Sequence, residues 1–183
     1  VRRWDYCSWA RLGRPVVREY QNEGQATATL VVDTFRDVPS AAEEGSESFE
    51  GLLSLAASVS DALARASCRV NTLVVGPELI PSPGLSLMDQ HESILEALAL
   101  ARPAPSDSWE ELVEQLPALV SQPGLVFVLL NGWSERGEAL SRALAGPGSH
   151  VCRIVVAGEN AELPRGVVRV SLAQIAAGEV EIS

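Results

Sequence analysis

The side chains of this 183-residue chain that can do chemistry sit mostly where apolar runs end. Asp33-Thr34-Phe35-Arg36-Asp37 closes a run that starts at Ala26, Asn131-Gly132-Trp133-Ser134 closes one that starts at Gly124, and Ser106 and Asp107 link two helical patterns. Two carboxylates, an amide and a hydroxyl brought in from three loops make a donor set for a hard cation, which takes oxygen ligands. Asp33, at the tip of a first strand, also has the placement of a carboxylate nucleophile. That alternative makes the chain a small-molecule hydrolase or phosphotransferase. A purely structural reading stands beside both, in which Asp33 caps a turn and Asp37, next to Val38-Pro39, is a solvated loop residue.

Other motifs carry less. Gly132-Trp133-Ser134-Glu135-Arg136 opens like a nucleophile elbow but lacks the closing glycine, so Ser134 reads as a helix N-cap. Gly146-Pro147-Gly148 follows a helix rather than a strand, which is the wrong context for a dinucleotide loop. His91 and His150 have no acid partner visible in the sequence, and Trp109 reads as the first apolar residue of its helix. Cys7, Cys68 and Cys152 are odd in number and far apart, with no metal-ligand spacing, which suits a reducing compartment.

Composition removes several classes outright. All 14 basic residues are arginine. Without lysine there is no phosphate-loop lysine, no Schiff base to pyridoxal and no kinase strand lysine. With 24 acidic residues the formal charge is −10, which argues against a nucleic-acid partner. The charge is uneven: residues 1–19 hold five arginines against two acids, net +3, while the rest holds nine against 22, net −13. The expected division is a basic arm over 1–23 and a folded domain over 24–183. The arm either packs on the acidic body or meets a separate acidic surface.

These groups need elements to position them. Ala26 to Asp33, Val70 to Gly76, Gly124 to Asn131 and Val151 to Gly158 are short, β-branched and apolar, as buried strands are, with a weaker fifth run from Val167 to Ser171. Phe49, Leu52, Leu53, Ala56, Val59 and Leu63 recur at helical spacing after Ser46 and Ser48. Asp89 with Glu92, and Ser108 with Glu111, have capping-box spacing, and a fourth helix is expected from about Ser134 to Ala145. Leu79-Ile80 and Leu85 to Leu87 suggest a short edge hairpin. Strands alternating with helical crossovers predict an α/β fold: a doubly wound, mainly parallel central sheet with helices on both faces, Rossmann-like in its winding. In such sheets ligands bind at the carboxyl ends of the strands, where strand order reverses.

The opener Arg2-Arg3-Trp4-Asp5-Tyr6-Cys7-Ser8-Trp9-Ala10-Arg11-Leu12-Gly13-Arg14-Pro15-Val16-Val17-Arg18-Glu19-Tyr20, ahead of a strand ending in Asp33-Thr34, resembles the signature of the bacterial domain of unknown function 58 family. The likeness runs on through Glu47-Ser48-Phe49, Ile94 to Ala99 and Ser108 to Leu112. This resemblance implies a von Willebrand factor A-like domain, whose metal-ion-dependent adhesion site uses D-x-S-x-S, a threonine and a late aspartate. Carried over, Asp33 matches the first aspartate and Phe35 and Asp37 stand where the two serines belong. Ser106 or Asp107 falls near the threonine, and Asn131 replaces the late aspartate. Asp33 alone is unchanged, so the resemblance implies a degenerate site with no cofactor or a weakly bound Mg2+ on Asp33, Asp37, Asn131, Ser106 and Asp107.

The resemblance also implies a noncatalytic protein-interaction module that serves a MoxR-type AAA ATPase. Its expected partner-binding residues are Asp33, Thr34, Trp133, Arg2, Arg3 and Arg11. A scaffold that has lost both metal and ligand is the third reading. No run reaches the roughly 18 apolar residues of a membrane span, so the expected location is cytoplasmic. Because the chain opens on Val1 inside an arginine–tryptophan segment, it reads as part of a longer one, and the family's upstream spans would make it the soluble part of a membrane-anchored protein.

Overall fold

A computed structural model describes residues 2–4, 17–19, 26–36, 42–82, 87–105, 109–120 and 124–178. In chain order the elements are β1 (Arg2–Trp4), β2 (Val17–Glu19), β3 (Thr27–Asp33), β4 (Phe35–Arg36), α1 (Ala42–Arg65), β5 (Arg69–Val75), β6 (Leu79–Ser82) and α2 (Leu87–Leu100). They continue as β7 (Ala104–Pro105), α3 (Trp109–Leu119), β8 (Leu125–Asn131), α4 (Glu135–Ala143), β9 (His150–Val156), β10 (Val167–Val170) and α5 (Leu172–Ala177).

The six-stranded sheet runs β10-β9-β8-β3-β5-β6, with every pair parallel except β5 and β6. The first core strand, β3, lies in the middle, with β5 added on one side and β8 on the other. The order therefore reverses between β3 and β8, where Asp33 pairs with Leu130, one residue short of Asn131. Each face has its own core, which is why the central strands are apolar on both sides. Leu30, Val32, Val70 and Val74 pack with Leu52, Leu55 and Val59 of α1 and with Ile94 and Leu98 of α2. Val31, Leu73, Val128 and Leu130 pack with Leu116 of α3 and Leu140 of α4. This is the doubly wound, mainly parallel architecture expected from the alternation of strands and helices.

Local rules explain most boundaries, and the departures are informative. Ser134 caps α4 as expected, its Oγ accepting from the Gly137 N–H at 3.3 Å. Helix α1 begins at Ala42, ahead of Ser46 and Ser48. No proline lies among residues 42–48 to halt it, and Ser48 directs its hydroxyl to a distant strand rather than to a cap. Leu87 opens α2 instead of returning as a hairpin arm. A three-residue Leu-Ser-Leu stretch cannot by itself distinguish strand from helix, and the residues immediately before Leu87 lie outside the described ones. Strand β6 is the edge that was expected near Leu79-Ile80, but it pairs antiparallel with β5. Beyond its end, Gln90 of α2 accepts the Val70 N–H at 3.1 Å and so serves the donor that β6 no longer reaches. Helix α5 has a reciprocal Ser171/Gln174 capping box and a left-handed Gly178 at its end. It was missed because six residues show little periodicity.

Candidate functional site at the strand switch point

Asp33 ends β3 at the reversal of strand order and is buried, at 1% exposure. Its Oδ1 accepts the Phe35 N–H at 3.1 Å, closing a tight turn. Its Oδ2 receives Nε and Nη2 of Arg136 at 3.2 and 3.1 Å. The same Nη2 donates to the Phe35 carbonyl at 3.1 Å, and the guanidinium carbon sits 5.3 Å from the centre of the Phe35 ring. Arg136 is itself buried, at 6% exposure.

Two further side chains complete the floor. The Thr34 hydroxyl donates to the Val75 carbonyl at 3.0 Å, and the Thr34 N–H reaches the same oxygen at 2.9 Å, tying the end of β3 to β5. The Ser48 hydroxyl of α1 donates to Oδ1 of Asn131, tying β8 to the first helix. Gly132, left-handed at φ 85°, turns the chain after β8 while its N–H bonds the Val156 carbonyl at 3.1 Å. Half-buried Trp133 then packs on the α3/α4 core.

A cleft of about 250 Å³ opens next to Thr34, lined by Gly76, Glu78, Ile80, Leu100 and Arg102. Strand β4 pairs in parallel with β7, Phe35 opposite Ala104 and Arg36 opposite Pro105, so the connection after α2 runs along this end of the sheet. Asp37, Ser106 and Asp107 lie outside the described residues. So does Arg11, and of Arg2 and Arg3 only the backbone in β1 is described, with Arg2 opposite Glu19 and Arg3 opposite Arg18.

Of the residues expected to act together, the structure brings Asp33, Thr34, Asn131 and Trp133 to one end of the sheet. Their described donors do not fit a hard divalent cation. Both Asp33 oxygens are engaged by protein donors, one of them by a cationic group. The Phe35 side chain has no ligand atom, and the Asn131 amide oxygen accepts from Ser48. Among the described residues no cluster of three His, Cys, Asp or Glu side chains is arranged to hold a metal.

Arg136 is the member that the sequence reading overlooked. Its one sequence signal was weak: it lies in the first turn of α4, at the positive end of the helix dipole, but Glu135 and Glu138 stand in the same turn, so nothing local pointed to Asp33 as its partner.

No protein-family model matches the chain, and no curated protein sequence matches it. Among solved structures it is similar to proximal thread matrix protein 1 from the mussel byssus, with a TM-score of 0.54 at 12% identity, over 84% of this chain and 46% of that one. It is also similar to a von Willebrand factor type A protein from Catenulispora acidiphila, with a TM-score of 0.54 at 10% identity, over 85% of this chain and 41% of that one. The chain spans less than half the length of either protein. Likeness at this identity establishes the fold, which is von Willebrand factor A-like.

Proposed function

We propose that this chain is a noncatalytic protein-interaction module that docks its partner at the carboxyl end of the sheet. The observation that carries this reading is the open cleft at this end of the sheet, floored by the buried Thr34 and edged by the exposed Glu78 and Arg102, with half-buried Asn131 and Trp133 at the same end. Von Willebrand factor A-like folds often mediate protein interactions, and open α/β sheets place their ligands at this end. A buried Asp33 has both carboxylate oxygens engaged, one by a backbone amide and one by a guanidinium, which favours docking over a hydrolase or phosphotransferase.

The finer assignment rests on the arginine-rich opener and its resemblance to the domain of unknown function 58 family. That analogy favours a MoxR-type AAA ATPase as partner, with the basic arm of Arg2, Arg3 and Arg11 as a second contact for an acidic surface. No described helix is long and apolar enough to cross a membrane.

Capture experiments with a purified MoxR-type ATPase test the reading. The exposed charge reversals Glu78→Arg and Arg102→Glu are expected to abolish capture while leaving the melting temperature nearly unchanged, and Trp133→Ala to abolish it at a lower melting temperature, because it also gives up core contacts. Undiminished capture by all three variants removes this surface. Absence of capture by the wild type removes the ATPase as partner.

A further inference from the structure

Four polar side chains meet where the first half of α2 crosses the β5/β6 edge of the sheet. Val70, Thr72 and Val74 share one face of β5, and the two valines pack there in the α1/α2 core. Thr72 stands directly opposite Ser82 in the antiparallel β5/β6 ladder. From α2, Gln90 takes the Val70 N–H on its Oε1 at 3.1 Å. Ser93, three residues on and so on the same side of the helix, has its hydroxyl 2.8 Å from that of Ser82. Helix α2 thus holds the sheet on two sides of Thr72, at its neighbour along the strand and at its neighbour across the ladder.

Thr72 itself is 2% exposed and Gln90 1%. Thr72 Oγ1 and Gln90 Nε2 have no hydrogen-bond partner among the described residues, and they do not bond each other. We infer that a buried water molecule binds in this corner and bridges Thr72 Oγ1 to Gln90 Nε2.

Donor and acceptor chemistry fits that ligand. The bond from Val70 fixes which end of the Gln90 amide is which, so the group left over is an NH2 that can only donate. A hydroxyl oxygen can accept. One water accepts from the amide and donates to Thr72. The Ser82–Ser93 bond uses one of two hydroxyl protons, which leaves the other to donate to the same water. Three partners are the usual number for a buried water. Without it, two buried polar atoms would each carry an uncompensated desolvation cost.

Both elements that the water would fasten to β5 also wall the cleft beside Thr34, β6 through Ile80 and α2 through Leu100. The inference goes beyond the docking reading and does not need it, since its test uses this chain alone. High-resolution crystal structures of the wild type and of Thr72→Val, with the melting temperatures of both, provide that test. The wild type is expected to show a density peak within hydrogen-bonding distance of Thr72 Oγ1 and Gln90 Nε2, and Thr72→Val to lack it. The sign of the stability change is a second readout, because valine keeps the shape of threonine without its hydroxyl. With the water bound, valine removes the bridge and leaves Gln90 Nε2 unpaired, so the melting temperature should fall by roughly 3 °C. With no water, valine would remove only an orphaned hydroxyl and the melting temperature should rise. A wild-type structure without the peak, a direct Thr72–Gln90 hydrogen bond in its place, or a Thr72→Val protein that melts above the wild type each overturns the proposal.

Discussion

Asp33 and Arg136, 103 residues apart in the chain, meet through two hydrogen bonds to a single carboxylate oxygen and close the seam between β3 and the helix that follows β8. Helix α4 carries a second ion pair, Glu138 with Arg142 at 2.7 Å, whose side chains are 57% and 74% exposed. Two pairs on one helix thus differ mainly in burial. Arg136→Leu is expected to cost about 3–5 kcal/mol, because a buried carboxylate loses its counter-charge. Arg142→Ala should cost only about 0.5 kcal/mol, since water screens the exposed pair. Urea midpoints of the two variants at constant m-value check the contrast.

The Ser48–Asn131 bond joins the first helix to the strand end on the far side of the switch point. Ser48→Ala should lower stability by about 1 kcal/mol, the net worth of one partly buried hydrogen bond. Hydrogen exchange should show faster opening at the Asn131 end of β8 and unchanged protection at Ala28 and Val70. Equal loss of protection across all strands would mean that the bond has no local role.

Gly76 borders the cleft because nothing larger fits there. A Cβ at this position would stand 2.6 Å from the Thr34 hydroxyl oxygen, which is itself held by the Val75 carbonyl. Gly76→Ala is expected to lose about 1–3 kcal/mol by overpacking. Removing the oxygen makes room, so Thr34→Ala combined with Gly76→Ala should cost less than the two changes summed. Denaturant unfolding of the four proteins measures that coupling.

Burial pushes the thiols of Cys68 and Cys152 above their ordinary value of 9.0, with neighbouring Arg153 partly opposing the shift at Cys152. The folded state therefore keeps protons that the unfolded state releases from about pH 9 upward. Their contribution to stability is complete below that value and declines as pH rises through the raised folded values. Between pH 8 and pH 10 the wild type should lose more stability than Cys68→Ala/Cys152→Ala. Parallel losses in the two proteins would show that the thiols contribute nothing.

The strands of the sheet core were readable because a buried parallel strand must be apolar on both faces, and β3, β5, β8 and β9 are short runs of that kind. Ser134 was readable as a cap because N-capping involves only four consecutive residues, here Ser134 to Gly137. Arg136 was not, because its partner lies on a strand that becomes its neighbour only when β8 inserts beside β3. Phe35 was legible only as the loss of a ligand. That its backbone and ring seat a guanidinium depends on the turn after Asp33 and on the direction from which α4 arrives.

Local periodicity and residue type determined the α/β class, the apolar strands and the absence of any lysine chemistry, since each depends on residues close together in the chain. The order of the strands brought Asp33, Asn131 and Trp133 to one end of the sheet. Which group neutralises Asp33 was decided only by the tertiary structure. A buried charge takes whatever counter-charge the packing brings within reach, and here the parallel pairing of β8 beside β3 brings an arginine of α4.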